Sequence, residues 1–175
     1  MKQGFLNPQE ILNQLELREE MKVADFGSGS GGWAIPLAKI LKEGTVYAID
    51  ILEGPLSALK GKADLKNVSN IETIRADLEK DAGSGLKDNS LDLVLMINLL
   101  FEIEDKEKVF KEAKRVLKKE GKILVVDWKE DSPFGPKEGR ILAEEVKKIA
   151  QDLGLKLEKE IGAGGYHYGL LFEKP

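Results

Sequence analysis

Short apolar runs alternate with amphipathic stretches along this chain at intervals of roughly 20 to 25 residues, the pattern left by strands and helices taking turns in an α/β fold with a parallel sheet. A short N-terminal helix is expected around Pro8 to Leu15, and Lys22 to Phe26 reads as the first strand, closed by the glycine cluster Gly27 to Gly32. The next helix is expected from Trp33 to Lys42, with Pro36 tolerated in its first turn and Gly44 just past its end. Thr45 to Asp50 reads as a second strand, Leu56 to Ala63 as a weak helix, and Ile71 to Arg75 and Leu91 to Ile97 as further strands of the buried type.

From Lys106 to Leu117 the residues Val109, Phe110, Ala113, Val116 and Leu117 fall on one helical face, which Gly121 should terminate. Lys122 to Asp127 reads as the fifth strand and Trp128 to Pro136, with two proline pairs, as a loop. Glu138 to Leu153 places Ile141, Leu142, Val146, Ile149 and Leu153 along one helical stripe. Two strands finish the pattern, Leu155 to Ile161 and Tyr168 to Glu173. Their link, Gly162 to Gly165, suits a hairpin and makes that pair antiparallel. Neither a linker nor a repeat interrupts the chain, so a single domain over residues 1–175 is expected, with a helical segment 1–20 ahead of the core 21–175.

Composition narrows the chemistry. Among 175 residues there is no cysteine, which excludes thiolate nucleophiles, disulfide exchange and cysteine-ligated metal. A formal net charge of −4 lacks the basic footprint that neutralises phosphates, so nucleic acid is disfavoured as a partner. Met1 to Phe5 shows no basic stretch leading into an apolar run, and the longest mainly apolar stretch, Leu93 to Phe101, falls far short of the ~20 residues of a transmembrane helix. A cytoplasmic protein is the expectation.

The strongest local signal is Val23-Ala24-Asp25-Phe26-Gly27-Ser28-Gly29-Ser30-Gly31-Gly32, a strand entering a glycine turn that opens a helix. Glycines serve there where the backbone turns sharply and where a ligand approaches the main chain. Asp50 lies 18 residues past Gly32 at the end of the second strand, where a carboxylate can accept both hydroxyls of an adenosine ribose. The structural alternative is a plain turn with Asp50 capping the next helix. Nucleoside binding is the working conclusion.

With these residues in place the sequence resembles the class I S-adenosylmethionine-dependent methyltransferases. The resemblance rests on Asp25 to Gly31, Tyr47-Ala48-Ile49-Asp50, Arg75-Ala76-Asp77-Leu78, Leu91 to Leu95 and Gly121 to Asp127, in that order over roughly residues 20 to 175. It is similar in particular to the small-molecule branch that includes the ubiquinone and menaquinone methyltransferases. It implies a doubly wound, mostly parallel seven-stranded Rossmann-like sheet whose last strand is antiparallel. It also implies S-adenosylmethionine as cofactor, S-adenosylhomocysteine as product and no metal. By carry-over, Asp25 with Gly27, Ser28, Gly29 and Gly31 would hold the methionine part, Asp50 the ribose hydroxyls, and Asp77 the adenine amino group with Leu78 packing nearby, and Ile51 would also belong to the cofactor site. Asn98 would face the methyl-transfer site.

Candidates for acceptor chemistry sit where the fourth and fifth strands end: Asn98, Glu102, Asp127, Trp128 and Lys129, each equally open to a surface or capping role. His167, between Tyr166 and Tyr168, could serve as a base, or it could be a histidine packed in the hairpin. Trp33 is open to substrate contact or to plain packing. Asn98-Leu99-Leu100-Phe101 lacks the Asn-Pro-Pro-aromatic pattern of enzymes that methylate base amino groups or glutamine, and arsenite methylation depends on cysteines. Only 21 residues precede Lys22, fewer than that branch usually carries, so the expected lid is thin. Either the site is shallow and takes a large acceptor or a second subunit, in a homodimer, completes it.

The reading is methyl transfer to a small or lipid-like acceptor. Methylation of RNA or protein, a non-catalytic cofactor-binding module and an NAD-dependent oxidoreductase stand as alternatives.

Overall fold

The computed structural model describes residues 6–175, so the first five residues of the expected N-terminal segment lie outside it. Seven strands form one sheet in the order β3-β2-β1-β4-β5-β7-β6. They are β1 Lys22–Phe26, β2 Thr45–Asp50, β3 Ile71–Arg75, β4 Leu91–Ile97, β5 Leu117–Trp128, β6 Lys156–Glu160 and β7 His167–Glu173. The five-strand run from β3 to β5 is parallel, while β7 runs antiparallel to both β5 and β6. This is the doubly wound arrangement the resemblance implied, with the last strand inserted inside the edge.

Helices α1 Pro8–Leu12, α2 Ala34–Ile40, α3 Glu53–Leu65, α4 Lys106–Val116 and α5 Ala143–Asp152 cover the sheet. One face, with Ala24, Phe26, Val94, Met96, Ile123, Val125 and Leu170, is buried against α4 and α5. The other, with Val23, Leu93, Leu95, Ile97, Leu124, Val126 and Leu171, is buried against α1 and α2. Because strand side chains alternate between faces, β1, β4 and β5 are apolar on both sides, which is why they read as near-continuous hydrophobic runs.

Several boundaries differ from the expected ones, each for a local reason. α1 stops at Leu12, and Gln14 instead uses both ends of its amide on Gly162, donating to its oxygen at 2.9 Å and accepting from its nitrogen at 2.8 Å. α3 starts at Glu53, three residues early, because Pro55 occupies the first turn, where no N–H is needed. β5 begins directly after α4: Leu117 pairs with Leu91, and a bulge at residues 118–121, with Glu120 at φ 63°, restores pairing at Lys122. Gly121 thus lies in the strand and does not terminate the helix.

α5 begins at Ala143, five residues later than the periodicity suggests. The Arg140 guanidinium donates to the carbonyl oxygens of Lys129, Glu130, Ser132, Phe134 and Pro136, and so ties residues 129–140 into a compact strap. Those hydrogen bonds replace a first helical turn.

Candidate functional site

Parallel pairing brings the C-terminal ends of β1, β2, β3 and β4 to one edge, where open α/β sheets take their ligands. The turn leaving β1 is pinned at once: Gly27 and Ser28 N–H both donate to the Ile49 carbonyl, at 2.8 and 2.9 Å. The Asp50 carboxylate then joins two turns. It accepts from Gly29 N–H at 2.9 Å through Oδ2 and from Leu52 N–H at 3.0 Å through Oδ1.

Gly29 has φ +52°, and a Cβ placed on it would meet no atom within 4 Å, so the turn presents bare backbone to open space. Gly27 is the opposite case: at φ +72° its absent Cβ leaves room for Leu99, whose Cδ1 lies 2.7 Å from where that atom would stand. Leu99 follows Asn98, itself left-handed at φ 50°, whose N–H donates to Val126 O at 2.8 Å.

Three buried polar atoms at this edge have no partner among the described residues: Asp25 Oδ2, Ser28 Oγ and Asn98 Oδ1. Buried polar groups are nearly always paired, so such a set marks where a ligand supplies the missing hydrogen bonds. Asp25 is 2 % exposed. Burial, and then the nearby Asp50 charge, push its carboxyl up to about 7 against the pull of an Ala34 N–H. At the far end Asp77 Oδ1 accepts from Glu79 N–H at 3.0 Å, and Leu78 is buried beside it. Ile51 and Leu52, more than half exposed, form an apolar rim next to Asp50. Carboxylates, an unpaired hydroxyl, an open glycine turn and an apolar rim fit the amino acid, ribose and base of S-adenosylmethionine.

The loop carrying Asp77 and Leu78 is fastened from below by residues the sequence reading missed. Glu112, buried in α4, accepts from Ser84 N–H at 2.9 Å and from the Ser84 hydroxyl, and Arg115 donates to both its oxygens at 2.7 and 2.9 Å. Burial alone would raise the Glu112 carboxyl, but Arg115 and Ser84 hold it below the ordinary range. A signal was present: Glu112 stands on the apolar stripe of Val109, Ala113 and Val116, where a carboxylate needs a partner. Glu112→Gln is expected to cost about 1–2 kcal/mol by weakening charge-assisted hydrogen bonds, measured as the midpoint of urea unfolding.

The acceptor-side candidates separate into distinct environments. Asp127 is fully buried and faces away from Asp25. Its Oδ2 accepts from Leu100 N–H at 2.9 Å and its Oδ1 from Trp128 N–H at 2.8 Å. Burial pushes it up to about 6, and the Trp128, Leu100 and Leu99 amides restrain that rise. It anchors the single 3₁₀ turn Leu100–Glu102, in which Glu102 is exposed. Leu99 and Leu100 are core. Trp128 and His167 lie against each other at a tilt of 40° with ring centroids 4.0 Å apart, and Phe134 meets Tyr166 edge-on at 4.9 Å. Trp33 packs partly buried on the α1–α2 side. Among the described residues, no group of three or more His, Asp or Glu is placed to hold a metal.

Residues 17–162 match the family model of a methyltransferase domain. The chain belongs to this methyltransferase family. Demethylmenaquinone methyltransferase of Bacillus mycoides (strain KBAB4) is 27% identical over 134 residues, which are 76% of this chain and 55% of that protein. Human arsenite methyltransferase is 31% identical over 116 residues, 62% of this chain and 31% of that protein. The chain therefore spans about half of the first relative's length and about a third of the second's.

Among solved structures, a SAM-dependent methyltransferase from Aquifex aeolicus superposes with a TM-score of 0.89 at 28% identity, covering 98% of this chain and 91% of that one. Membership in this methyltransferase family implies S-adenosylmethionine as the cofactor. The Rossmann-like sheet and the family stand as the resemblance implied.

Proposed function

We propose that this methyltransferase domain transfers a methyl group from S-adenosylmethionine to a small or lipid-like apolar acceptor by in-line attack on the sulfonium. The observation that carries the reading is the convergence, at one sheet edge, of the unpartnered Asp25, Ser28 and Asn98 atoms with the Asp50 carboxylate and the open Gly29 turn. When bound, the cofactor supplies an electrophilic methyl on a cationic sulfur. Asp25 would accept from the ammonium of its amino acid, Asp50 from its ribose hydroxyls, and Leu78 with Ile51 would flank its base.

Such a reaction gains chiefly from alignment and exclusion of water, which asks for rigid walls more than for a dedicated base. The Asp127-anchored turn and the Arg140-tied strap supply such walls. Two features support an apolar acceptor: the aromatic group of Trp128, Phe134, Tyr166 and His167 beside the site, and the similarity to an enzyme named for demethylmenaquinone. The net charge of −4 supports it over RNA. No helix among the described residues is long and apolar enough to cross a membrane.

Side-by-side calorimetric titration with S-adenosylmethionine, S-adenosylhomocysteine and NAD tests this reading. The first two are expected to bind and NAD is not. NAD binding alone would overturn it. Asp50→Ala is expected to weaken S-adenosylmethionine by about 1–3 kcal/mol through loss of a charged acceptor for the ribose, and unchanged affinity would remove Asp50 from the site.

A further inference from the structure

All five buried side-chain atoms without a partner among the described residues lie at the same end of the sheet. Three are the cofactor-side atoms of Asp25, Ser28 and Asn98; the other two are Nδ1 and Nε2 of His167. The strands involved, β1, β4 and β7, are separated only by β5.

Asp25 and His167 also share a face. Val23 and Val126 belong to the cluster on the α1–α2 side, and Asp25 and Trp128 lie two residues beyond them on the same strands. His167 stands opposite Trp128 in the β5–β7 register, and its ring lies against the indole with the two planes tilted by 40°. Asn98 follows the end of β4, two strand spacings from β7, or about 10 Å. That is the length of a flat two-ring molecule.

An imidazole that is 3 % exposed with neither nitrogen paired is a liability in a free protein. Burial, and then the Lys129 charge, push His167 down to about 4, so the ring is neutral near pH 7 and offers one N–H donor and one acceptor nitrogen. A hydroxyl group, which both gives and takes a hydrogen bond, is its complement. Indole and imidazole together offer an aromatic surface with one polar handle.

Resting on the methyltransferase reading, we propose that His167 reads the acceptor: its imidazole hydrogen-bonds a hydroxyl at the far end of a flat, apolar acceptor that lies across β5 from Asn98. His167 is then a specificity residue, and the unpaired ring is a cost the free protein carries for recognition.

The protein contains one histidine, so a long-range ¹H–¹⁵N spectrum reports this imidazole alone. With S-adenosylhomocysteine bound, 2-naphthol and naphthalene are the probes. The expected result is that 2-naphthol moves the ring nitrogen resonances, naphthalene does not, and 2-naphthol binds about ten-fold more tightly. In His167→Phe that preference should collapse while S-adenosylhomocysteine affinity is kept. With no ligand, the variant should melt about 2–4 °C higher, because an apolar ring replaces two unpaired nitrogens.

Unmoved resonances, a preference that survives in His167→Phe, a lower melting temperature for that variant, or failure of both probes to bind would each overturn the proposal. The spectrum needs no variant, so poor folding of His167→Phe leaves the test intact. Absence of S-adenosylhomocysteine binding to the unmodified protein is a separate result. It would sink the methyltransferase reading itself.

Discussion

S-adenosylmethionine should bind about 100-fold more weakly at pH 5 than at pH 8, because the carboxyl proposed to receive its ammonium, Asp25, is held up to about 7. Below that value the group is protonated and must lose its proton before it can accept from the ligand, so affinity falls about ten-fold per pH unit. Calorimetry in buffers of different ionisation enthalpy should show proton release on binding at pH 6. 5′-Methylthioadenosine, which lacks the amino acid, should show neither effect.

The same shift has a consequence for folding. The folded chain holds the Asp25 proton more tightly than an unfolded chain with an ordinary carboxyl near 3.8. This group's contribution is therefore fully present below about pH 4 and is lost as pH rises through about 7. Asp25→Asn should remove that dependence and melt several degrees higher than the unmodified protein at pH 8, while binding the cofactor poorly at every pH. A variant that loses stability at pH 8 would show that the charge at Asp25 is not the strained element.

The largest loss of stability is expected from Asp127→Ala. This carboxylate is fully buried and receives the N–H groups of Trp128, Leu100 and Leu99. Its removal strands those donors beneath the 3₁₀ turn. Leaving several buried amides unpaired should cost about 3–5 kcal/mol, or roughly 10 °C in melting temperature. Asp127→Asn keeps one acceptor oxygen and should fall between the two. If Asp127→Ala melts like the unmodified protein while methyl transfer disappears, the residue acts on the acceptor and not on the turn.

Asp127 also shows where sequence reading stops. As a strand-end aspartate it looks the same as Asp25 or Asp50, yet its partner Leu100 lies 27 residues away, past the end of β4, and only the fold brings the two together. The glycine turn and Asp50 were legible because a bare backbone turn and a carboxylate after the next strand leave few alternatives for residue type. The ladder of β1, β4 and β5 was legible because strands buried on both faces are apolar almost throughout.

Helix boundaries failed where a side chain replaced backbone hydrogen bonds, as Arg140 does ahead of α5, or where the first turn holds a proline, as Pro55 does in α3. The Ser84–Glu112 tie spans 28 residues. Only the carboxylate half of it was visible, as a charge misplaced on an apolar stripe.

The insertion of β7 between β5 and β6 reverses the usual order in which a sheet grows at its edge. Among the described residues β6 pairs only with a strand that comes later in the chain, and all five of its residues are exposed. As the polypeptide leaves the ribosome, β6 has nothing to join until residues 167–173 follow it. The two then reach β5 together as a hairpin. A chain without residues 167–173 would therefore forfeit two strands rather than one and leave the edge of β5 unpaired.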